Sequence, residues 1–129
     1  MKDITNTTLS DLTNITYLDK TVTPRQSVKE TQNALSSSAE TDRVYTALPP
    51  DTRLTVSEGG QPRFEIVRDN LDDVVVWNPW VEKAASMGDF SPNDGWKEML
   101  CVETGAVDGW QKLEGGDTFE GGQIMKAVL

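Results

Sequence analysis

Apolar residues in this chain come in short runs set between polar stretches, and the spacing inside each run decides which element it predicts. The run Val74-Val75-Val76-Trp77 is β-branched and aromatic throughout, which reads as a strand covered on both faces. It stops at Asn78. Asn78 can accept hydrogen bonds from the first free amides of a helix, Pro79 suits a first turn, and Trp80, Ala84 and Met87 recur at i, i+4 and i+7. Asp73 to Phe90 therefore predicts a strand, a tight corner and one short amphipathic helix. Beyond a linker rich in Pro, Asn and Gly, Met99-Leu100-Cys101-Val102 predicts a second buried strand, closed by Glu103.

The flanking stretches carry weaker versions of the same signal. Ile4 to Leu12 spaces its apolar residues among Thr and Asn, and Ile15 to Leu18 is a short β-like run, so both predict exposed or edge strands. Thr21 to Ala39 is polar, with Pro24 and three consecutive serines, and reads as a loop holding one weak strand near Ala34 and Leu35. Val44 to Leu48 predicts a strand ended by Pro49-Pro50. Leu54 and Val56, then Phe64 and Ile66, alternate with polar residues around Glu58-Gly59-Gly60-Gln61-Pro62, a hairpin whose loop is expected to exceed two residues. Trp110 to Leu113 and Ile124 to Leu129 complete the set, separated by Gly115-Gly116 and Gly121-Gly122. About eight or nine short strands, with turn signals every 8 to 12 residues or so and one short helix, describe an all-β antiparallel sandwich or part of one. A sandwich this short has edges to protect, which points to a missing partner sheet and to self-association through exposed sheet edges.

Composition narrows the function. With 129 residues, the chain predicts one domain over 1–129, long enough to bury about two thirds of its unfolded surface. The net charge of −9, with acids spread along the chain, disfavours nucleic acid and anionic membranes as partners. Cys101 is the single cysteine, so an internal disulfide is excluded and a reducing compartment fits; within an apolar run its ordinary role is that of a small core residue, against the alternative of a reactive thiol. The opening MKDITNTTLS lacks the apolar centre of a secretory signal, and no segment approaches the ~20 apolar residues of a membrane span, so a soluble cytoplasmic protein is expected. Histidine is absent. Acid/base chemistry housed here must run on carboxylates, Lys or Tyr.

Several candidate motifs fail on spacing. Asp89-Phe90-Ser91-Pro92-Asn93-Asp94-Gly95 starts like a calcium loop, but its Gly comes one position late and Leu100 stands where the bidentate Glu belongs, so it reads as a turn and no metal is expected. The three Gly-Gly pairs lack the spacing and the following Lys of a phosphate loop. Four tryptophans, Trp77, Trp80, Trp96 and Trp110, either pack the core and corners or offer a ring on which a sugar stacks. Two acids stand apart, Asp42 before one predicted strand and Glu103 at the end of another, where sandwich folds carry binding residues. A carboxylate beside Cys101 and Met99 is expected to lose hydration, which would raise its pKa and strengthen it as a base once substrate excludes water. The alternative is that both acids are structural partners of Arg43 or Lys83. Spacing leaves this open.

The runs Leu18-Asp19-Lys20, Glu40-Thr41-Asp42-Arg43-Val44-Tyr45, Val74 to Trp80 with Glu82-Lys83, Met87-Gly88-Asp89-Phe90, Met99 to Glu103 and Gly121-Gly122-Gln123, in this order, resemble the glucose-6-phosphate 1-epimerases, the hexose-6-phosphate mutarotase branch of the aldose 1-epimerase family. The resemblance implies the C-terminal half of a galactose-mutarotase-type β-sandwich, a hexose phosphate as substrate, and no cofactor, metal or nucleotide. It makes Glu103 the catalytic glutamate and Asp42 the acid that holds sugar hydroxyls. The family's catalytic histidine and phosphate-gripping arginines belong to the preceding half, in keeping with the lack of His in this chain. The implied reaction is interconversion of α and β anomers by general acid/base ring opening, incomplete in this chain as it stands. A non-catalytic carbohydrate-binding module or degenerate remnant is the alternative. Thr104, where the family usually has proline, and Ala106 in the next turn depart from the pattern and bear on the shape of that loop.

Overall fold

The computed structural model describes residues 1–128. Ten strands follow one another along the chain: β1 (Thr7–Ser10), β2 (Thr16–Asp19), β3 (Gln26–Lys29), β4 (Ala34–Ser36), β5 (Thr41–Tyr45), β6 (Leu54–Glu58), β7 (Gln61–Asp69), β8 (Asp73–Asn78), β9 (Cys101–Gly105) and β10 (Gly122–Ala127), with one helix, α1 (Trp80–Ser86), and two short 3-10 turns at Ile4–Asn6 and Gly95–Glu98. They form two five-stranded sheets, ordered β10-β7-β6-β1-β4 and β3-β2-β5-β8-β9, and neighbours are antiparallel throughout. Alternation supplies the core. Leu9, Leu35, Leu54, Val56 and Ile66 from the first sheet meet Tyr17, Tyr45, Val74 and Val76 from the second, closed by Leu12 and Leu48 from loops. The last strand was expected to run to Leu129, which lies outside the described residues.

Where the strands depart from expectation, the reason is local. β8 is covered unevenly: Val74 and Val76 are fully buried against the first sheet, while Val75 and Trp77 are only half-buried on the other side. β3 lies within the stretch read as a loop; it pairs with β2 at the sheet edge, where Val28 alone packs on the core and its polar neighbours need no cover. β5 begins at Thr41, before the expected Val44, and ends at Tyr45, after which Ala47 takes a left-handed turn at φ 53°. The hairpin loop is the two residues Gly59 and Gly60, both at positive φ (61° and 74°), and Pro62 sits inside β7 beside a bulge at Val56/Ser57. Glycine tolerates that pair of angles, which matches the twist of the flanking strands. β9 starts at Cys101, not Met99, because the Asn78 amide donates to the carbonyls of Trp96 and Met99 and holds them off the ladder. Trp110 to Leu113 forms no strand and lies in an exposed excursion between β9 and β10.

The inner face of the second sheet also holds a polar cluster. Glu30, 3% exposed, accepts from the Arg43 guanidinium at 2.7 Å, from the Tyr45 hydroxyl at 2.6 Å and from the backbone amides of Thr31 and Gln32. Arg43 lies over the Tyr17 ring, 4.3 Å from its centroid. The charge is thus paired and its remaining lone pairs are satisfied, which is what burial of a carboxylate demands.

Candidate active site

Residues directly opposed in an antiparallel ladder point to the same side. Since Tyr45, Val74 and Val76 face the core, the residues between them face away from it, and the register of β5, β8 and β9 lines those up across the outer face of the second sheet. One row is Asp42, Trp77 and Cys101. Lys20 extends it, donating its backbone N–H to the Asp42 carbonyl at 2.9 Å. The next row is Leu18, Val44, Val75 and Glu103. Val44 is buried yet stands outside the inter-sheet core cluster, and Leu18, Val75, Trp77 and Cys101 are half-buried. This face therefore has an apolar floor with charged groups at both ends.

Asp42 and Glu103 lie on this one face, two strands and two residues apart, a Cα separation of roughly 12 Å from ladder spacings. Asp42 is half-buried in β5, and the Lys20 ammonium contacts its carboxylate at 3.1 Å. Neither acid is taken up by Arg43, whose guanidinium serves Glu30 on the opposite face. Glu103 corrects the expected picture. It sits mid-strand opposite Val75 and is exposed, on β9, the outermost strand of its sheet. Desolvation is thus not what would make it a base in this chain.

Cys101 is likewise placed differently from the expected core position. It is half-buried on the outer face beside Glu103, and its thiol pKa is raised, first by burial, then by the charge of Glu103 and by a hydrogen bond with that carboxylate. The thiol stays protonated at neutral pH, which removes the thiolate a nucleophile requires. Trp80 and Trp96 pack on each other at the corner with centroids 4.6 Å apart, and Trp110 is fully exposed in the β9–β10 excursion. Trp77 is the tryptophan on the floor between the two acids. Among the described residues, no three His, Cys, Asp or Glu side chains cluster as metal ligands. Sequence reasoning neither placed Lys20 beside Asp42 nor singled out Trp77 from the other three tryptophans. The signal lay in strand register, which puts Lys20 in line with Asp42 once β2 and β5 are known to pair.

The aldose 1-epimerase family profile matches residues 1–126. The chain belongs to the aldose 1-epimerase family. A Cenchrus ciliaris protein named a candidate glucose-6-phosphate 1-epimerase is 32% identical over 128 residues, covering 99% of this chain and 38% of that protein. A Salmonella typhimurium protein of the same name is 34% identical over 103 residues, covering 79% of this chain and 33% of the relative. In solved structures, a candidate mutarotase from Salmonella typhimurium superposes with TM-score 0.68 at 32% identity, over 81% of this chain and 34% of that one. The structure of HI1317, at 20% identity, shares the fold with TM-score 0.72 over 97% of this chain and 41% of the other. The fold is the mutarotase-type β-sandwich, and this aldose 1-epimerase family chain spans between a third and about two fifths of the length of the relatives it matches.

Proposed function

We propose that the outer face of the second sheet is the base-bearing part of a hexose-6-phosphate mutarotase site, and that the chain corresponds to the C-terminal half of the family's domain. Glu103 takes the proton from the anomeric hydroxyl while an acid protonates the ring oxygen, so the C1–O5 bond breaks and an open-chain aldehyde forms. Rotation about C1–C2 presents the other carbonyl face, and reclosure returns both protons. Asp42 holds the sugar hydroxyls, with the Lys20 ammonium at 3.1 Å orienting its carboxylate. The acid comes from the remainder of the domain, since this chain contains no histidine. The observation that supports this reading above the others is the common face: Asp42 and Glu103, on different strands, flank one apolar floor.

A second reading, a sugar-binding module without catalysis, is favoured by the exposure of Glu103. Exchange NMR on glucose 6-phosphate separates the two. Faster α/β interconversion with the isolated chain is expected for the mutarotase reading, at a rate about 10²- to 10⁴-fold below that of a complete site, because one general catalyst is lacking. Binding without acceleration would establish the module in its place. The unpaired Cys101 and hexose phosphate chemistry fit a cytoplasmic setting.

A further inference from the structure

We propose that Trp77 is the platform on which the sugar ring stacks, an inference that rests on the reading of this face as a sugar site. Four tryptophans are available, and their placement separates them. Trp80 and Trp96 are spent on each other, and Trp110 is fully exposed in the β9–β10 excursion. Trp77 stands directly between Asp42 on β5 and Cys101 on β9, diagonal to Glu103, and is half-buried on the face turned away from the core.

The chemistry of a hexopyranose matches this arrangement. Its ring has C–H faces that pack on an aromatic surface and a rim of hydroxyls that seek charged acceptors. An indole below with a carboxylate at either end meets both demands at once. The neighbouring floor residues Val44 and Val75 extend the apolar surface but present no flat ring, so orientation of the ring plane falls to Trp77. With that plane fixed, the anomeric hydroxyl projects along the sheet toward β9 and Glu103. Trp77 is thus a positioning residue for the proposed reaction, acting on the ring and not on a proton.

The test is a titration of the full chain, ¹⁵N-labelled, with methyl β-glucoside and with glucose 6-phosphate, following the indole N–H resonances. Trp77→Phe identifies the Trp77 signal by its loss. The expected result is a saturable shift of the Trp77 indole with the Trp110 indole unmoved, and affinity about tenfold lower in Trp77→Ala but nearly retained in Trp77→Phe. Amide shifts at Asp42 and Glu103 with the Trp77 indole unmoved would overturn the platform and leave the sugar site standing. No shift anywhere on this face with either sugar would overturn both. Amide spectra of the two variants, compared with the parent chain, keep a folding defect from passing as a binding defect.

Discussion

Tyr45 shows how one side chain ties stability to pH. Its hydroxyl is buried and donates to Glu30, and both effects, burial first, raise its pKa above the ordinary value of a tyrosine. The folded protein therefore keeps the Tyr45 proton at a pH where the unfolded chain, titrating near 10, has released it. The unfolded state then binds fewer protons than the folded one, so stability falls as pH rises above about 10, by up to ~1.4 kcal/mol per pH unit for this group. Urea unfolding between pH 8 and 11 should show this decline, and Tyr45→Phe should make it shallower while lowering stability at neutral pH, because Glu30 and Arg43 lose a hydrogen-bond partner. An equally steep alkaline decline in the Phe variant would show that another group carries the effect. None of this was legible from the sequence, because Glu30 lies in a polar stretch and meets Arg43 and Tyr45 only through the pairing of β2 with β3 and β5.

At the scale of elements, the corner between β8 and α1 depends on Asn78. Its side-chain oxygen accepts from the Trp80 N–H at 2.9 Å, while its amide donates to the carbonyls of Trp96 and Met99 at 2.8 Å each. It thereby holds Trp80 at φ 57°, a left-handed conformation that costs a residue with a β-carbon roughly 1–2 kcal/mol. Asn78→Ala leaves these partly buried backbone groups without partners, and a loss of about 2 kcal/mol is expected in chemical denaturation; a change within a few tenths would mean the corner is held by the Trp80–Trp96 stack instead. Much of this region could be read in advance. The β-branched run gave β8, and Asn-Pro gave the corner and α1. β3 escaped because an edge strand needs only one apolar residue, Val28, among polar ones, and the start of β9 escaped because a side chain from β8 sets it. The exposure of Glu103 was equally hidden, since a strand of apolar character predicts burial until topology reveals that it is outermost.

For the whole molecule, the open side matters most. β9 and β10 are the outermost strands of their sheets, linked to each other by the Thr104 hydroxyl, which donates to the Gln123 side chain at 2.9 Å. Beside them an apolar cavity of about 230 Å³, lined by Val56, Phe64, Ile66, Leu100, Val102 and Met125 among others, opens between the sheets. Ile124 is 68% exposed and Met125 56%. Free edges and apolar surface favour association, while the charge of −9 opposes it, so sedimentation should show self-association that strengthens with added salt and weakens in Ile124→Lys. A monomer at all salt concentrations would show that the edges are protected as they stand.

The face carrying Asp42, Trp77 and Glu103 borders this open side through β9; on the function proposed above, the rest of a mutarotase domain would complete both the sandwich and the site there. The most direct measurement is anomer-exchange NMR of glucose 6-phosphate with the chain complemented by the remainder of a relative's domain, comparing Glu103 with Glu103→Gln. We expect acceleration by the parent assembly and a loss of about 10²-fold or more in the Gln variant with unchanged thermal unfolding. Equal rates in the two would contradict the assignment of Glu103 as the base.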